Sequence, residues 1–185
     1  MSFDKLAFVC LVTINLIGFV SGFVITSNLG LKEKFLKIPK IFQKAYVSFF
    51  WGAPIFCLPL VPQLRFTQNR IIFVIGITLA LLSGLVGILA FKEIGIIPSV
   101  RQKSTVITSG IYGIIRHPLY LGGIFMSLGL SLAFRAVYAL FYTPVIIAFF
   151  TLLAFLEEKS LAKEYGEEYL AYKRNVKWRL IPWVI

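Results

Sequence analysis

Residues 119–156 read LYLGGIFMSLGLSLAFRAVYALFYTPVIIAFFTLLAFL, an apolar stretch whose one charge is Arg135. Each half is near the roughly 17–25 residues that cross a bilayer. A lone charged residue between two such halves predicts a tight antiparallel helical hairpin in lipid. Pro144 removes a backbone donor from the second half and is expected to kink it. Working outward, residues 71–91, 45–61 and 6–26 form three further apolar runs. The expected fold is all-α: one integral membrane bundle of five transmembrane helices, with three spans in residues 1–100 and the hairpin plus a C-terminal amphipathic segment in residues 101–185.

Composition supports this reading. The chain has 185 residues, of which 58% are hydrophobic and 15% charged, and its mean hydropathy is +0.86. Soluble domains carry about a quarter charged residues, so a soluble globule is excluded, along with disorder and coiled coil. Cys10 and Cys57 lie inside apolar runs, without a CxxC pair or a nearby His, and read as small buried hydrophobes. No metal site is expected. The first run follows a single Lys5, exceeds a signal-peptide h-region and lacks a small-x-small cleavage site, so it reads as a mature helix.

The net charge of +11 could mark a nucleic-acid binder, but its distribution says otherwise. With five spans, one side of the membrane holds Lys5, Arg65, Arg70 and Arg135, and the other holds the remaining fifteen basic residues. Positive-inside bias then places the C-terminus in the cytoplasm and the N-terminus outside, with membrane lipids and no nucleic acid as partners. Small residues recur at helical spacing at Gly18 and Gly22, at Gly76, Ala80, Gly84 and Gly87, and at Gly123, Ser127 and Ser131. Such stripes let helix backbones approach closely in lipid.

Chemistry-bearing residues gather in two segments flanking the hairpin, residues 104–123 and 157–182, which its antiparallel path brings together. His117 is the only histidine, and Pro118 suits the first turn of a helix, whose free amides favour an anion. As residues alone, His117 reads equally as a cap, a headgroup contact or a functional group. Arg116 reads as a positive-inside anchor, and Tyr112 and Tyr120 as interfacial belt aromatics. Glu157 and Glu158 directly follow an apolar run; a carboxylate there is costly unless paired or solvated. Leu161, Tyr165, Tyr169 and Tyr172 fall at i, i+4, i+8 and i+11, a stripe that lies on lipid or closes over a pocket. Gly166 is expected to bend that stretch, and the tail from Trp178 to Trp183 reads as a membrane anchor.

Taken together, Thr108-Ser-Gly-Ile-Tyr112, Arg116-His-Pro-Leu-Tyr-Leu-Gly122, Glu157-Glu158, Tyr165-Gly-Glu-Glu-Tyr169, Tyr172 and Arg179-Leu-Ile-Pro182 resemble the isoprenylcysteine carboxyl methyltransferase family and the related phospholipid methyltransferases. The resemblance covers residues 104–182; the first three helices carry no family signal. It implies a membrane enzyme that methylates a lipid-like or prenylated substrate, entering from the bilayer, with S-adenosyl-L-methionine. Carried over by motif, a cytoplasmic loop and two helix ends bind the cofactor through Ser104, Thr105, Val106, Ile107, Tyr112, His117, Pro118, Leu119, Tyr120 and Glu157. The chemistry is compatible: a carboxylate suits helix-end amides, an ammonium suits Glu157, and a sulfonium is attracted by aromatic faces.

An acceptor that must lose a proton would turn to His117 or Glu158. Leu153 stands where eukaryotic members of the family have a substrate-binding Arg, so a carboxylate acceptor would need Arg179 or Arg116 instead. The expected catalytic residues are therefore His117, Glu158 and Arg179. Carboxyl O-methylation is the activity most like the family, with phospholipid amine N-methylation, a sterol-reductase-like NADPH enzyme and a non-catalytic lipid-binding protein as alternatives. The short chain and sparse loops point to a prokaryotic plasma membrane.

Overall fold

The computed structural model describes residues 3–94 and 106–181, and all of its regular elements are helical. In chain order they are α1 (Phe3–Ser27), α2 (Leu29–Lys37), α3 (Lys40–Val47), a π-helical turn (Ser48–Gly52), α4 (Ala53–Cys57), α5 (Arg70–Ile94), a 3-10 turn (Gly110–Gly113), α6 (Pro118–Ala133), α7 (Val137–Tyr165) and α8 (Glu167–Asn175). Among the described residues, three stretches are long and apolar enough to cross a membrane: Lys5–Ser27, Arg70–Glu93 and Val137–Tyr165.

The other two expected spans differ from full-length rods. The 119–134 run forms the 16-residue helix α6. The 45–61 run is broken into the end of α3, the π turn, α4 and a non-helical end. Pro54 and Pro59 both lie in this run, and each lacks a backbone donor. The π turn is held from outside: Asn15 Nδ2 donates to the Phe50 carbonyl at 2.9 Å, and Tyr142 Oη donates to Asn15 Oδ1 at 3.1 Å. Trp51 Nε1 adds a bond to the Gly18 carbonyl at 3.1 Å.

The hairpin is as tight as its sequence predicts. Arg135 turns the corner with φ of 58°, and the Arg65 guanidinium holds the carbonyls of Phe134, Pro59 and Val61 around it. Helix α7 runs through Pro144 without interruption. Helices α5 and α6 make the most extensive pair. A Cβ on Gly76 would meet the Ala133 backbone nitrogen at 2.5 Å, and one on Gly129 the Ala80 nitrogen at 2.7 Å. Gly18 and Gly22 likewise fit against Phe50 and Trp51. The α6 surface turned to α5 thus runs through Gly122, Gly129 and Ala133, one strip round from the Gly123, Ser127 and Ser131 stripe read in the sequence.

The core gathers α1, α4, α6 and α7 around Phe19, Ile55, Ile124, Ile146, Phe150 and Leu153. Phe19 stacks on Phe149 with centroids 3.6 Å apart. Helix α2 is strapped to the far end of α7 by Lys32 Nζ, which donates to Ser160 Oγ and Glu164 Oε2, both at 3.1 Å.

Candidate active site

The two chemistry-bearing segments converge at one end of the hairpin, joined by backbone as well as side chains. Pro118 opens α6, and His117 precedes it with extended φ and no side-chain cap bond, which frees its ring to turn inward. The preceding residues lie alongside the tail. Arg116 N donates to the Trp178 carbonyl at 2.9 Å and His117 N to the Arg179 carbonyl at 3.0 Å, around a parallel bridge between Ile115 and Trp178. Leu180 is buried in the core. The tail from Trp178 to Leu180 is thus an internal strut and not the surface anchor expected of it; Pro182 and Trp183 lie outside the described residues.

Behind this strut Glu158 gathers Arg116, Arg179 and Lys173, with His117 Nε2 3.5 Å from its Oε1. Its Oε1 accepts from Arg116 Nε at 2.8 Å and Arg179 Nε at 2.9 Å, and its Oε2 from Arg179 Nη2 at 3.1 Å and Lys173 Nζ at 3.1 Å. Arg116 also donates through Nη1 to the Val176 and Lys177 carbonyls, and Arg179 lies 3.7 Å over the Phe155 ring. Arg116 is 7% exposed. It is a buried clamp between elements and not the positive-inside anchor its sequence context suggests, because a carboxylate and two carbonyls replace its water.

Glu157 faces the other way. Its Oε2 accepts from Tyr120 Oη at 2.6 Å and stands 3.5 Å from His117 Nδ1. The His117 and Tyr120 rings stack in parallel with centroids 5.3 Å apart, and Tyr120 stacks on Phe150 at 5.1 Å. Tyr112 and Tyr120 are buried, so neither is the belt aromatic its position suggests. The aromatic stripe closes over a pocket. Gly166, with φ of 54°, ends α7 and starts α8, so Leu161 and Tyr165 on one helix and Tyr169 and Tyr172 on the next share one wall. Glu168 Oε1 accepts from Val106 N at 2.8 Å, and Tyr172 Oη donates to the Tyr112 carbonyl at 2.8 Å, tying α8 to the motif loop.

The result is a polar pocket lined by Val106, Ile107, Tyr112, Arg116, His117, Leu119, Tyr120, Glu157, Leu161, Tyr165, Tyr169 and Tyr172. Seven of the ten expected cofactor residues are among these. Pro118 sets the helix start without lining the pocket, and Ser104 and Thr105 lie outside the described residues. Glu158 and Arg179 stand behind the wall, joined to each other. Leu161, Tyr165, Tyr169 and Tyr172 also line the pocket though none was among the expected cofactor residues; the last three stand in the quoted motifs, and the spacing of all four was the signal. Among the described residues there is no group of acidic, His or Cys side chains arranged to hold a metal.

A second cavity of about 260 Å³ abuts the first. It is lined by Val47, Trp51, Ile55, Phe56, Ile88, Phe91, Met126 and Phe150, together with Ser83 and the glycines Gly52, Gly84, Gly87, Gly122 and Gly123. The Ser83 hydroxyl donates to its own helix, at Leu79 O, and Trp51 Nε1 is bound to Gly18 O, so this cleft offers an almost purely hydrocarbon surface. Leu119 and Tyr120 line both cavities.

Burial opposes charge on His117, but the carboxylates of Glu157 and Glu158, each 3.5 Å from one of its ring nitrogens, outweigh that, raising its pKa above the usual 6.5. A raised folded-state pKa adds stability that is fully present below pH 6.5 and is lost as pH rises through the folded-state value. Because His117 is the only histidine, no other side chain ordinarily titrates in that window. In detergent unfolding between pH 6 and 9, the wild-type advantage over His117→Gln is expected to shrink as pH rises. An advantage that grows with pH would contradict this.

The helical bundle thus sets a pocket holding Arg116, His117 and Glu157 beside a hydrocarbon cleft. Comparison with known proteins places it more closely: the phospholipid methyltransferase family matches residues 71–168, and the chain belongs to that family. The match begins in α5, so the family signal reaches back into the third apolar run, which sequence reading left outside it. Delta(14)-sterol reductase of Methylotuvimicrobium alcaliphilum is 38% identical over 89 residues, 44% of this chain and 20% of that protein. Human protein-S-isoprenylcysteine O-methyltransferase is 37% identical over 73 residues, 39% of this chain and 26% of that protein. The mouse Delta(14)-sterol reductase is 35% identical over 94 residues, 48% of this chain and 21% of that protein. The matches thus span about a fifth to a quarter of these curated relatives.

Proposed function

We propose that this protein is a membrane methyltransferase that binds S-adenosyl-L-methionine in the polar pocket and a lipophilic acceptor in the apolar cleft. The observation that carries the reading is the shared wall: Leu119 and Tyr120 border both cavities. That brings a polar donor and a hydrocarbon-tailed acceptor to opposite sides of one ring. Glu157 fits the donor's ammonium, since its carboxylate lines the pocket, and the Tyr112 ring in the same lining suits a sulfonium. When bound, this cofactor supplies an activated methyl, which passes to an acceptor lone pair as the sulfur–carbon bond breaks and a neutral thioether remains. The residues of the chain then contribute orientation and exclusion of water.

The acceptor's identity turns on cations. Carboxyl O-methylation follows the isoprenylcysteine resemblance, but Leu153 is buried in the core, and Arg116 and Arg179 are both held by Glu158. That commitment favours a second reading, an amine acceptor such as a phospholipid headgroup, which needs no guanidinium partner. Glu158, surrounded by cations, acts as a clamp in this proposal and not as a base. The topology goes with it: five crossings, the interrupted 40–57 segment and short α6 included, with the pocket and C-terminus in the cytoplasm of a prokaryotic plasma membrane and the N-terminus outside.

The sterol-reductase relatives make NADPH the competing ligand. Its phosphates call for cations, and among the described residues the one arginine lining the pocket, Arg116, is occupied by Glu158. Purified protein in detergent is therefore expected to bind S-adenosyl-L-methionine saturably, with NADPH failing to displace it. Saturable NADPH binding that excludes S-adenosyl-L-methionine would reverse the assignment.

A further inference from the structure

Four buried side-chain polar atoms lack a hydrogen-bond partner among the described residues: Gln43 Oε1, His117 Nε2, Ser131 Oγ and Tyr169 Oη. Two of the four, on His117 and Tyr169, belong to residues lining the polar pocket. A buried hydroxyl without a partner carries its full desolvation cost, and folded proteins satisfy nearly all such groups. Tyr169 is 2% exposed, so bulk water does not serve it. Burial pushes its phenol far above the usual range, which keeps it a neutral donor.

His117 Nε2 stands 3.5 Å from Glu158 Oε1, and other neighbouring donors have acceptors within the chain. Arg116 donates to Glu158 and two carbonyls, Tyr120 to Glu157, and Tyr172 to the Tyr112 carbonyl. The pocket that Glu157 and Tyr169 share has a volume of about 60 Å³, room for a few waters or for the α-amino acid end of a larger ligand. Once Glu157 takes the ammonium of such an end, the carboxylate on the same carbon needs a donor of its own. Tyr169 lines the same pocket as Glu157.

The geometry points to Tyr169 as a cofactor-recognition residue, its hydroxyl donating to the α-carboxylate of the methionine end of S-adenosyl-L-methionine. This rests on the cofactor reading above. The test pairs Tyr169→Phe with decarboxylated S-adenosylmethionine, which keeps the ammonium, sulfonium and nucleoside and lacks only the carboxylate. Binding is measured on the full chain in detergent. Wild type is expected to prefer the intact cofactor about 10- to 100-fold, the range for a hydrogen bond to a charged group, and Tyr169→Phe to erase that preference. The ligand-free unfolding midpoint of the variant should be unchanged or higher, because the deleted oxygen has no protein partner. A preference retained in Tyr169→Phe, or a lower ligand-free midpoint, overturns the assignment of Tyr169 alone. Absence of S-adenosyl-L-methionine binding by wild type overturns the cofactor reading and this contact with it.

Discussion

Glu158→Gln is expected to destabilise the protein by about 3–5 kcal/mol, the usual cost of removing one partner from a buried ion pair. The side chain is 3% exposed, and its carboxylate neutralises Arg116 and Arg179 while Lys173 approaches from the surface. An amide of the same shape keeps some hydrogen bonds but leaves the buried Arg116 and the half-buried Arg179 without a counter-charge. The α7 end, the residues before α6 and the tail all meet at this carboxylate, so their docking should loosen together. Unfolding in detergent and proteolysis of the tail near Lys177 would both report it. A midpoint within about 0.5 kcal/mol of wild type, the range for a neutral surface change, would show that the clamp does not hold these elements.

Glu157→Gln is expected to behave in the opposite manner. The amide oxygen can still accept from Tyr120, so the fold should be only mildly weakened, while S-adenosyl-L-methionine affinity falls about 10- to 100-fold as the ammonium loses its counter-charge. Equilibrium binding measures the effect, and undiminished affinity would remove Glu157 from the cofactor site. Two adjacent carboxylates thus divide the labour, one turned toward the arginines and one toward the cavity, because consecutive helical residues point about 100° apart. The pair of variants separates loss of binding from loss of fold.

Much of the architecture was legible because it is written in local periodicity. The hairpin follows from two apolar runs around Arg135, close packing from glycines at helical spacing, and the meeting of the two motif segments from the hairpin itself. The face of the glycine stripe was harder to place: Gly129 faces Ala80 because of how α6 is rotated, which spacing alone leaves open. Breakage of the 45–61 run was illegible for a similar reason. The π turn depends on Asn15, distant in sequence and held by Tyr142, reaching the Phe50 carbonyl. In the site, Glu157, His117 and Tyr120 could be found from their motif, but the destination of a long charged side chain could not. Arg116 and Arg179 looked free to meet membrane or substrate until the fold brought Glu158 between them. Tyr169 was visible as a motif residue and a member of an aromatic stripe, with nothing to say that its hydroxyl would be buried without a partner.

The parallel bridge between Ile115 and Trp178 has a bearing on how the protein is made. Helices α1 to α7 all precede the segment from Val176 to Leu180, so each can enter the bilayer while that segment is still to be synthesised. Until it arrives, Glu158 has Arg116 but lacks Arg179, and the backbone of residues 116 and 117 has no strand to pair with. The pocket wall is therefore among the last parts of the described chain to form. A nascent chain already threaded into lipid would have its hydrocarbon cleft before it had a competent place for a soluble reactant, and maturation would proceed from the membrane side toward the aqueous one.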